Sequence, residues 1–406
     1  MNILEQIKSW IDFLRRQENP FKVNILKNLA QRFASNLTYQ YQYIYMTELG
    51  AGPVILGYIS SISGLVNTIL AIPAGIIADR FGLKNVFLFN ILFSIISALA
   101  FGFSSSWQIA TIALIISTVS MVLDRTACPM ICGSTLANHE RATGMGVCDT
   151  ISFFPNLIAP MLGAFLITVF GGMNAEGIRP LYYIQIIGYV IAFIIIYTKF
   201  ENPKKIHKIA SNTGLLSNLG DVISEGKMVK RWILMTMFSA FSWQVMFYVP
   251  IYAAEILGAD QFIIGGMSTA STIVFVFLAI PLGHLADTRG RKKMVVASTL
   301  LFCASYLVLM YSPNHMFLLL SGFLSGFSMP GGQAMMAIAP ELVPGEYLGR
   351  WYGLLGFFRG LVGIVSPLIC GYVWDVVSPQ MVFLVIILTQ LVSVGIFLTI
   401  PTSITK

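Results

Sequence analysis

Five ionisable side chains lie within long apolar stretches of this sequence, where little water is at hand to stabilise a charge. They are Arg32, Asp124, Arg125, Asp149 and Arg359. Because a charge in such a setting is costly, residues of this kind bind ions or solutes, or pair with one another. Three arginines against two aspartates leave one positive charge unmatched, which favours an anionic or carboxylate-bearing ligand. The alternative is that the charges only fix helix packing, for example through a pair between Arg32 and Asp149.

Two stripes of polar and aromatic side chains recur at helical spacing. One has intervals of three and four and comprises Arg32, Asn36, Tyr39, Gln40 and Tyr43; the other has intervals of four and comprises Gln244, Tyr248 and Tyr252. Residues so spaced share one helix face, and a polar face suits water or a ligand better than lipid. We predict that both stripes, with Arg125 and Arg359, contact the ligand. Packing between helices is the alternative use of such a stripe.

Carboxylates are the best candidates for proton transfer within these stretches. All four histidines lie in polar breaks or at the ends of apolar stretches, so a buried histidine relay is not expected. Asp124 and Asp149 are assigned to proton coupling, because burial and a neighbouring arginine act in opposite directions on the proton affinity of a carboxylate.

Neither a metal centre nor a catalytic centre is predicted. Cys128 and Cys132 share a helix face, but no nearby histidine or third thiol completes a metal site. No nucleotide-binding loop and no grouping of nucleophile, base and oxyanion donors occurs. We therefore expect no enzyme activity, no metal and no cofactor.

The elements that position these residues follow from composition. Apolar residues make up 56% of the 406 residues and charged residues 11%, and the mean hydropathy is +0.78. Such a chain would expose large apolar patches in water, so its solvent is the lipid bilayer. Continuously apolar runs without a period of two exclude a β-barrel and leave helices.

Twelve apolar stretches are long enough to cross a membrane. We number them segments 1 to 12, and they run over 24–47, 54–78, 84–103, 107–136, 142–170, 181–199, 231–256, 261–285, 293–311, 315–339, 347–374 and 380–400.

The basic residues predict the orientation of these segments. When residues near a segment end are counted with the adjoining loop, every Lys and Arg except Arg32, Arg125, Arg179 and Arg359 falls in the N-terminal leader, the even-numbered connections or the tail. Because basic loops stay cytoplasmic, both termini are predicted to be cytoplasmic in a multi-pass protein of the cell membrane. The leader, residues 1–22, has the pattern of a surface amphipathic helix. The net charge of +7 is then carried by basic residues at the cytoplasmic membrane surface. No nucleic-acid-binding motif accompanies it, so nucleic-acid binding is not expected.

The sequence repeats itself at a fixed offset. AIPAGIIADRFG at 71–82 recurs as AIPLGHLADTRG at 279–290, so that Gly75 and Gly283 are 283 − 75 = 208 apart. Two homologous halves follow, 23–199 and 231–400, joined by a polar cytoplasmic linker over 200–230 and ending in a tail over 401–406.

The repeated segment resembles the signature of the major facilitator superfamily, Gly-x-x-x-Asp-Arg-x-Gly-Arg-Arg/Lys. The matching residues are Gly75, Asp79, Arg80 and Gly82 in the first copy and Gly283, Asp287, Arg289 and Gly290 in the second. Leu83 and Thr288 depart from the signature. The resemblance implies that these residues form a conformational motif, in which the aspartates join a charge network that holds one closed state.

The resemblance also implies the architecture and the mechanism. It predicts an all-α membrane protein with two pseudo-symmetric six-helix bundles, which alternate access to a central cavity lined by segments 1, 4, 7 and 10. That lining includes Arg32, Asp124 and Arg125. A weaker similarity to an antiporter motif occurs around Pro160 and Pro367.

We predict a monomeric secondary transporter of a small organic solute, driven by protons or another ion. Proton-coupled efflux of amphiphilic compounds is the first expectation. Uptake or exchange of an organic anion, bound by Arg125 or Arg359, is the main alternative. A non-transporting receptor on the same fold is the third possibility.

Overall fold

The computed structural model describes residues 13, 15–136, 141–202, 228–343 and 348–401. These residues form helices joined by short turns, and no strand occurs among them. The predicted surface helix of the leader, most of the linker and the tail lie outside the described residues.

Six segments form each half, as the repeat predicts. The N-terminal half contains helices Asn19–Thr38 and Gln42–Glu48 in segment 1, Pro53–Gly102 in segments 2 and 3, Trp107–Thr135 in segment 4, Arg141–Phe153 and Ala159–Val169 in segment 5, and Ala175–Lys199 in segment 6. The C-terminal half contains Val229–Gln244 and Tyr248–Glu255 in segment 7, Gln261–Ile273 and Ala279–Arg289 in segment 8, Arg291–Met310 in segment 9, His315–Ser325 and Ser328–Ile338 in segment 10, Leu348–Val376 in segment 11, and Pro379–Leu398 in segment 12.

Within the described residues, ten helical stretches are long and apolar enough to cross a membrane, and they correspond to segments 2 to 9, 11 and 12. Segment 1 is more polar than these, and a one-turn 3-10 helix, Tyr39–Tyr41, interrupts it. Segment 10 is interrupted between Ser325 and Ser328. Polar and broken helices inside a membrane bundle are where ligand sites are built, so these two segments are the ones to inspect.

Each copy of the repeated motif ends in a glycine whose backbone has a positive φ angle. Gly82, between segments 2 and 3, has φ of 76°, and Gly290, between segments 8 and 9, has φ of 102°. Side chains other than hydrogen rarely tolerate this region. Asn202 anchors the first turn, because its side-chain oxygen accepts a hydrogen bond from the Lys84 backbone N–H at 2.9 Å.

Three apolar cores hold the bundle together, and they differ in which halves they join. We call the end of the bundle that carries the short loops 49–52, 103–106 and 256–260 the distal end, and the opposite end the proximal end. The largest core lies at the distal end and draws on both halves, for example Tyr41 and Ile44 with Tyr248 and Ile251. The other two lie towards the proximal end, and each belongs to one half. The described cores therefore join the halves at the distal end.

Candidate functional site

A buried ion pair connects segments 1 and 4. The Lys27 ammonium donates to Asp124 Oδ1 at 2.6 Å; the Lys27 side chain is fully buried, whereas that of Asp124 is 29% exposed. The ammonium also lies 4.5 Å from the centre of the Phe87 ring in segment 3, within cation–π range. Asp124 is thus a paired carboxylate in this conformation.

Lys27 is the main correction to the charges predicted from sequence. The charge pattern groups Lys27 with the basic leader, because it lies only three residues after the predicted start of segment 1 at 24. The helix begins at Asn19, which places Lys27 eight residues, or about 12 Å, into it. A spacing signal for Lys27 is present in the sequence. Lys27 and Gln31 are one helical turn apart, and so are Ser120 and Asp124, so each pair lies on one polar helix face.

A ladder of hydrogen bonds continues from this ion pair towards the distal end. Gln31 Nε2 donates to Asn90 Oδ1 at 3.0 Å. Asn90 Nδ2 donates to the Ser120 backbone oxygen at 2.7 Å, and the hydroxyls of Ser94 and Ser120 lie 2.6 Å apart. Segments 1, 3 and 4 are thereby joined through polar groups in the N-terminal half.

The C-terminal half has no charged counterpart of the ion pair. At the 208 offset, Met235 stands opposite Lys27 and Gly332 opposite Asp124. Met235 is buried in the apolar core of its half. Burying polar and charged groups costs free energy, and only the N-terminal half has a charged pair at these positions. This difference between the halves makes the N-terminal hydrogen-bond ladder a functional candidate.

The three arginines predicted to face a ligand have no described carboxylate within ion-pair distance. The guanidinium of Arg32 lies over the Phe153 ring, 4.5 Å from its centre. Arg125 is exposed and lies near Tyr39 of segment 1, which is 70% exposed. Arg359 of segment 11 is partly exposed and lies near Tyr352. Segments 1, 4, 5 and 11 thus position these groups.

The remaining residues of the segment 1 stripe divide between the site and helix packing. Asn36 Nδ2 donates to the Arg32 backbone oxygen at 2.8 Å. Gln40 is buried. The Tyr43 ring stacks on Phe247 of segment 7 with centroids 4.4 Å apart, so the first and seventh segments meet here.

The segment 7 stripe lies at the distal contact between the halves. Gln244 lies against Gly363 of segment 11. Tyr248 and Tyr252 are buried, and the Tyr248 hydroxyl donates to the Pro53 backbone oxygen in segment 2 at 3.0 Å. In this conformation these two tyrosines contact protein groups.

Several predicted site residues fall outside the described side chains. They are Asp149 of the proposed proton pathway and Gly75, Asp79, Arg80 and Asp287 of the repeated motif. Gly283 and Arg289 are exposed near the proximal end. The predicted charge network of the motif and a pair between Arg32 and Asp149 remain predictions.

Comparisons with known proteins agree with this architecture. The family profile described as Major Facilitator Superfamily matches residues 29–267 and, a second time, residues 232–404. The chain is 22% identical to GudP of Bacillus subtilis over 80% of this chain and 78% of that protein. It is also 22% identical to GarP of Escherichia coli over 80% and 81%. Both are described as "Probable galactarate/D-glucarate transporter".

A solved structure shares the fold. The crystal structure of the nucleoside transporter NupG superposes with a TM-score of 0.70 at 15% sequence identity, covering 94% of this chain and 98% of that one. A helical membrane bundle of two repeated halves, with buried polar and charged groups in its interior, is typical of a multi-pass membrane transporter. The chain belongs to the Major Facilitator Superfamily and is a secondary transporter of that type.

Proposed function

We propose that this protein carries a small organic anion with one or more carboxylates, of the sugar-acid class, by alternating access between its two halves. The observation that carries the proposal is the charge balance of the central helices. The apolar segments carry four cations, Lys27, Arg32, Arg125 and Arg359, and two carboxylates, Asp124 and Asp149, so two positive charges are left over. Lys27 already neutralises Asp124, so Arg32, Arg125 and Arg359 are the groups that an anion can pair with.

The chemistry of the three guanidiniums suits carboxylates. A guanidinium presents parallel N–H donors that match the two oxygens of a carboxylate. Arg32 and Arg125 belong to the N-terminal half and Arg359 to the C-terminal half. A dicarboxylate could pair with both halves, which would couple its binding to their approach. Asn36, Tyr39 and Gln244 offer hydrogen bonds for hydroxyl groups along such a chain.

The relatives named above support this substrate class. GudP and GarP are described as galactarate/D-glucarate transporters, and the similarity spans about four fifths of each chain. Galactarate and D-glucarate are the first ligands to test. This moves organic-anion transport ahead of the efflux expectation drawn from sequence.

Proton coupling is proposed at Asp124. Its carboxylate is the partly exposed member of the pair with Lys27, and it adjoins Arg125 in the chain. An anion bound at Arg125 would alter the potential at Asp124, which is the physical requirement for coupling. Asp149 stays a second candidate. We place the protein in the cell membrane as a monomer with both termini in the cytoplasm.

Efflux of an amphiphilic compound is the second candidate function, and one feature favours it. An apolar groove of about 480 Å³ lies between segments 1, 5 and 6, next to the helix break at Pro155, and is lined by Phe33, Phe154, Ile158 and Ile191 among others. An apolar tail could occupy it while an acidic head pairs with Arg32.

Thermal unfolding of the purified protein tests the proposal. A ligand that binds the folded state raises the unfolding temperature, so galactarate or D-glucarate should raise it and the corresponding neutral alditol should not. Arg125→Gln should weaken this binding about tenfold or more, because a charge-assisted contact is lost. Arg231→Gln, at the exposed proximal end, is the matched control. Stabilisation by amphiphiles and by no organic anion would contradict the proposal.

A further inference from the structure

Two tyrosine hydroxyls cross from one half of the molecule to the other at the distal end. The Tyr41 hydroxyl, in segment 1, lies 2.9 Å from the Gln261 backbone oxygen of segment 8 and 3.2 Å from the Pro160 backbone oxygen of segment 5. The Tyr248 hydroxyl, in segment 7, donates to the Pro53 backbone oxygen of segment 2 at 3.0 Å. Both tyrosines are fully buried.

These contacts are related by the internal repeat. Tyr41 and Tyr248 are 248 − 41 = 207 positions apart, and the acceptors Pro53 and Gln261 are 261 − 53 = 208 apart. Each acceptor lies in the first turn of its segment, directly after a distal loop. The same donor and the same acceptor position therefore occur twice, once in each direction across the interface.

Close backbone approach at an equivalent glycine accompanies each tyrosine. A Cβ added to Gly57 would lie 2.6 Å from the Pro367 backbone oxygen and 3.2 Å from the Tyr248 hydroxyl. A Cβ added to Gly265 would lie 2.8 Å from both the Pro160 backbone oxygen and the Tyr41 hydroxyl. Small residues let helix backbones approach in this way. Gly57 and Gly265 are 208 positions apart, so the repeat preserves the whole arrangement.

We propose that Tyr41 and Tyr248 form a pair of latches that hold the distal end closed, and that both must release before the halves can separate there. The two contacts lie on different seams of the interface, one where segments 5 and 8 meet and one where segments 2 and 11 meet. Each half moves as a packed unit, because interfaces of this kind switch between discrete arrangements rather than deform continuously. Loss of either hydroxyl therefore loosens both seams.

Hydrogen exchange followed by mass spectrometry tests the latches on the native chain without substrate, so its outcome does not depend on the proposed substrate class. Tyr41→Phe and Tyr248→Phe remove one hydroxyl each and retain the ring. An interhelical hydrogen bond in a membrane bundle changes an equilibrium by about threefold on average. We expect amides in the first turns of segments 2 and 8 to exchange about threefold faster in either variant. In the double variant we expect about eightfold, because the two effects multiply.

Tyr183→Phe is the matched control, because its hydroxyl donates at 2.7 Å to the Gly102 backbone oxygen within the N-terminal half alone. It should leave exchange at both seams unchanged. The decisive result is an effect on the seam that was not mutated. Tyr41→Phe should accelerate exchange in segment 2, and Tyr248→Phe should accelerate exchange in segment 8. Acceleration confined to the mutated seam, or equal to that of Tyr183→Phe, would overturn the proposal, as would a double variant with the wild-type exchange rate.

Discussion

Removing either partner of the Lys27–Asp124 pair should destabilise the protein, but by unequal amounts. Asp124→Asn leaves the Lys27 ammonium without its counter-charge at a site with no exposure. Breaking a buried pair in this way costs about 3–5 kcal/mol. Lys27→Met leaves a carboxylate that is 29% exposed and can be hydrated, so the expected loss is about 1–3 kcal/mol. Methionine also fills similar space, as Met235 does at the equivalent position of the other half.

The double variant Lys27→Met/Asp124→Asn removes both charges together. Because no buried charge is then left uncompensated, its free energy of unfolding should lie within about 1 kcal/mol of the wild type. The two single losses would sum to about 4–8 kcal/mol, so the coupling energy should be at least about 3 kcal/mol. Equilibrium unfolding in sodium dodecyl sulfate, followed by circular dichroism, measures all four proteins.

Lys230→Met provides the control, because this lysine is exposed at the proximal end and its loss should change stability by less than about 0.5 kcal/mol. Two results would refute the reasoning. One is a larger loss of unfolding free energy for Lys27→Met than for Asp124→Asn, which would indicate that Asp124, and not Lys27, is the more deeply buried partner. The other is a double variant whose loss equals the sum of the single losses, because that would show that the two side chains do not interact.

Three further outcomes are expected. If the repeated motif sets the conformational equilibrium, as its resemblance to the family signature implies, Asp79→Asn and Asp287→Asn should lower transport without lowering the amount of protein in the membrane; wild-type flux in both would remove that role. Gly64→Ala should destabilise the protein by about 1–3 kcal/mol, because a Cβ there would lie 2.6 Å from the Gly363 backbone oxygen, whereas Gly395→Ala, with no atom within 4 Å, should be neutral in the same unfolding assay. Arg359→Gln should raise the apparent dissociation constant of a dicarboxylate more than that of a monocarboxylate, measured by ligand-induced thermal stabilisation; an equal effect on both would argue against contact with a second carboxylate.

The helices and the two halves were accessible from the sequence because their causes are local. Long apolar runs specify helices in lipid, and one motif repeated at a fixed offset specifies the halves. The two glycines at the ends of the motif copies have positive φ, as turns between helices require. The helix of segment 1 begins at Asn19 rather than near 24, and this difference places Lys27 well inside the helix rather than at its end.

The contact partners of the site residues could not be predicted, because the sequence of a single helix does not determine its register against a neighbouring helix. The sequence marks Asp124 as an unusual charge, yet its pairing with Lys27 depends on how segments 1 and 4 pack. Tyr248 fits a polar stripe equally well whether it faces a ligand or the opposite half. The structure places its hydroxyl 3.0 Å from the Pro53 backbone oxygen, a contact between residues far apart in the chain.

Counterflow in proteoliposomes tests the central claim most directly. Vesicles are loaded with unlabelled D-glucarate or galactarate, and labelled substrate is supplied outside without an ion gradient. The predicted result is transient accumulation of label in vesicles with the wild-type protein, strong reduction with Arg125→Gln, and none in protein-free vesicles. The claim is contradicted if neither sugar acid nor any other organic anion gives counterflow while an uncharged or cationic amphiphile does.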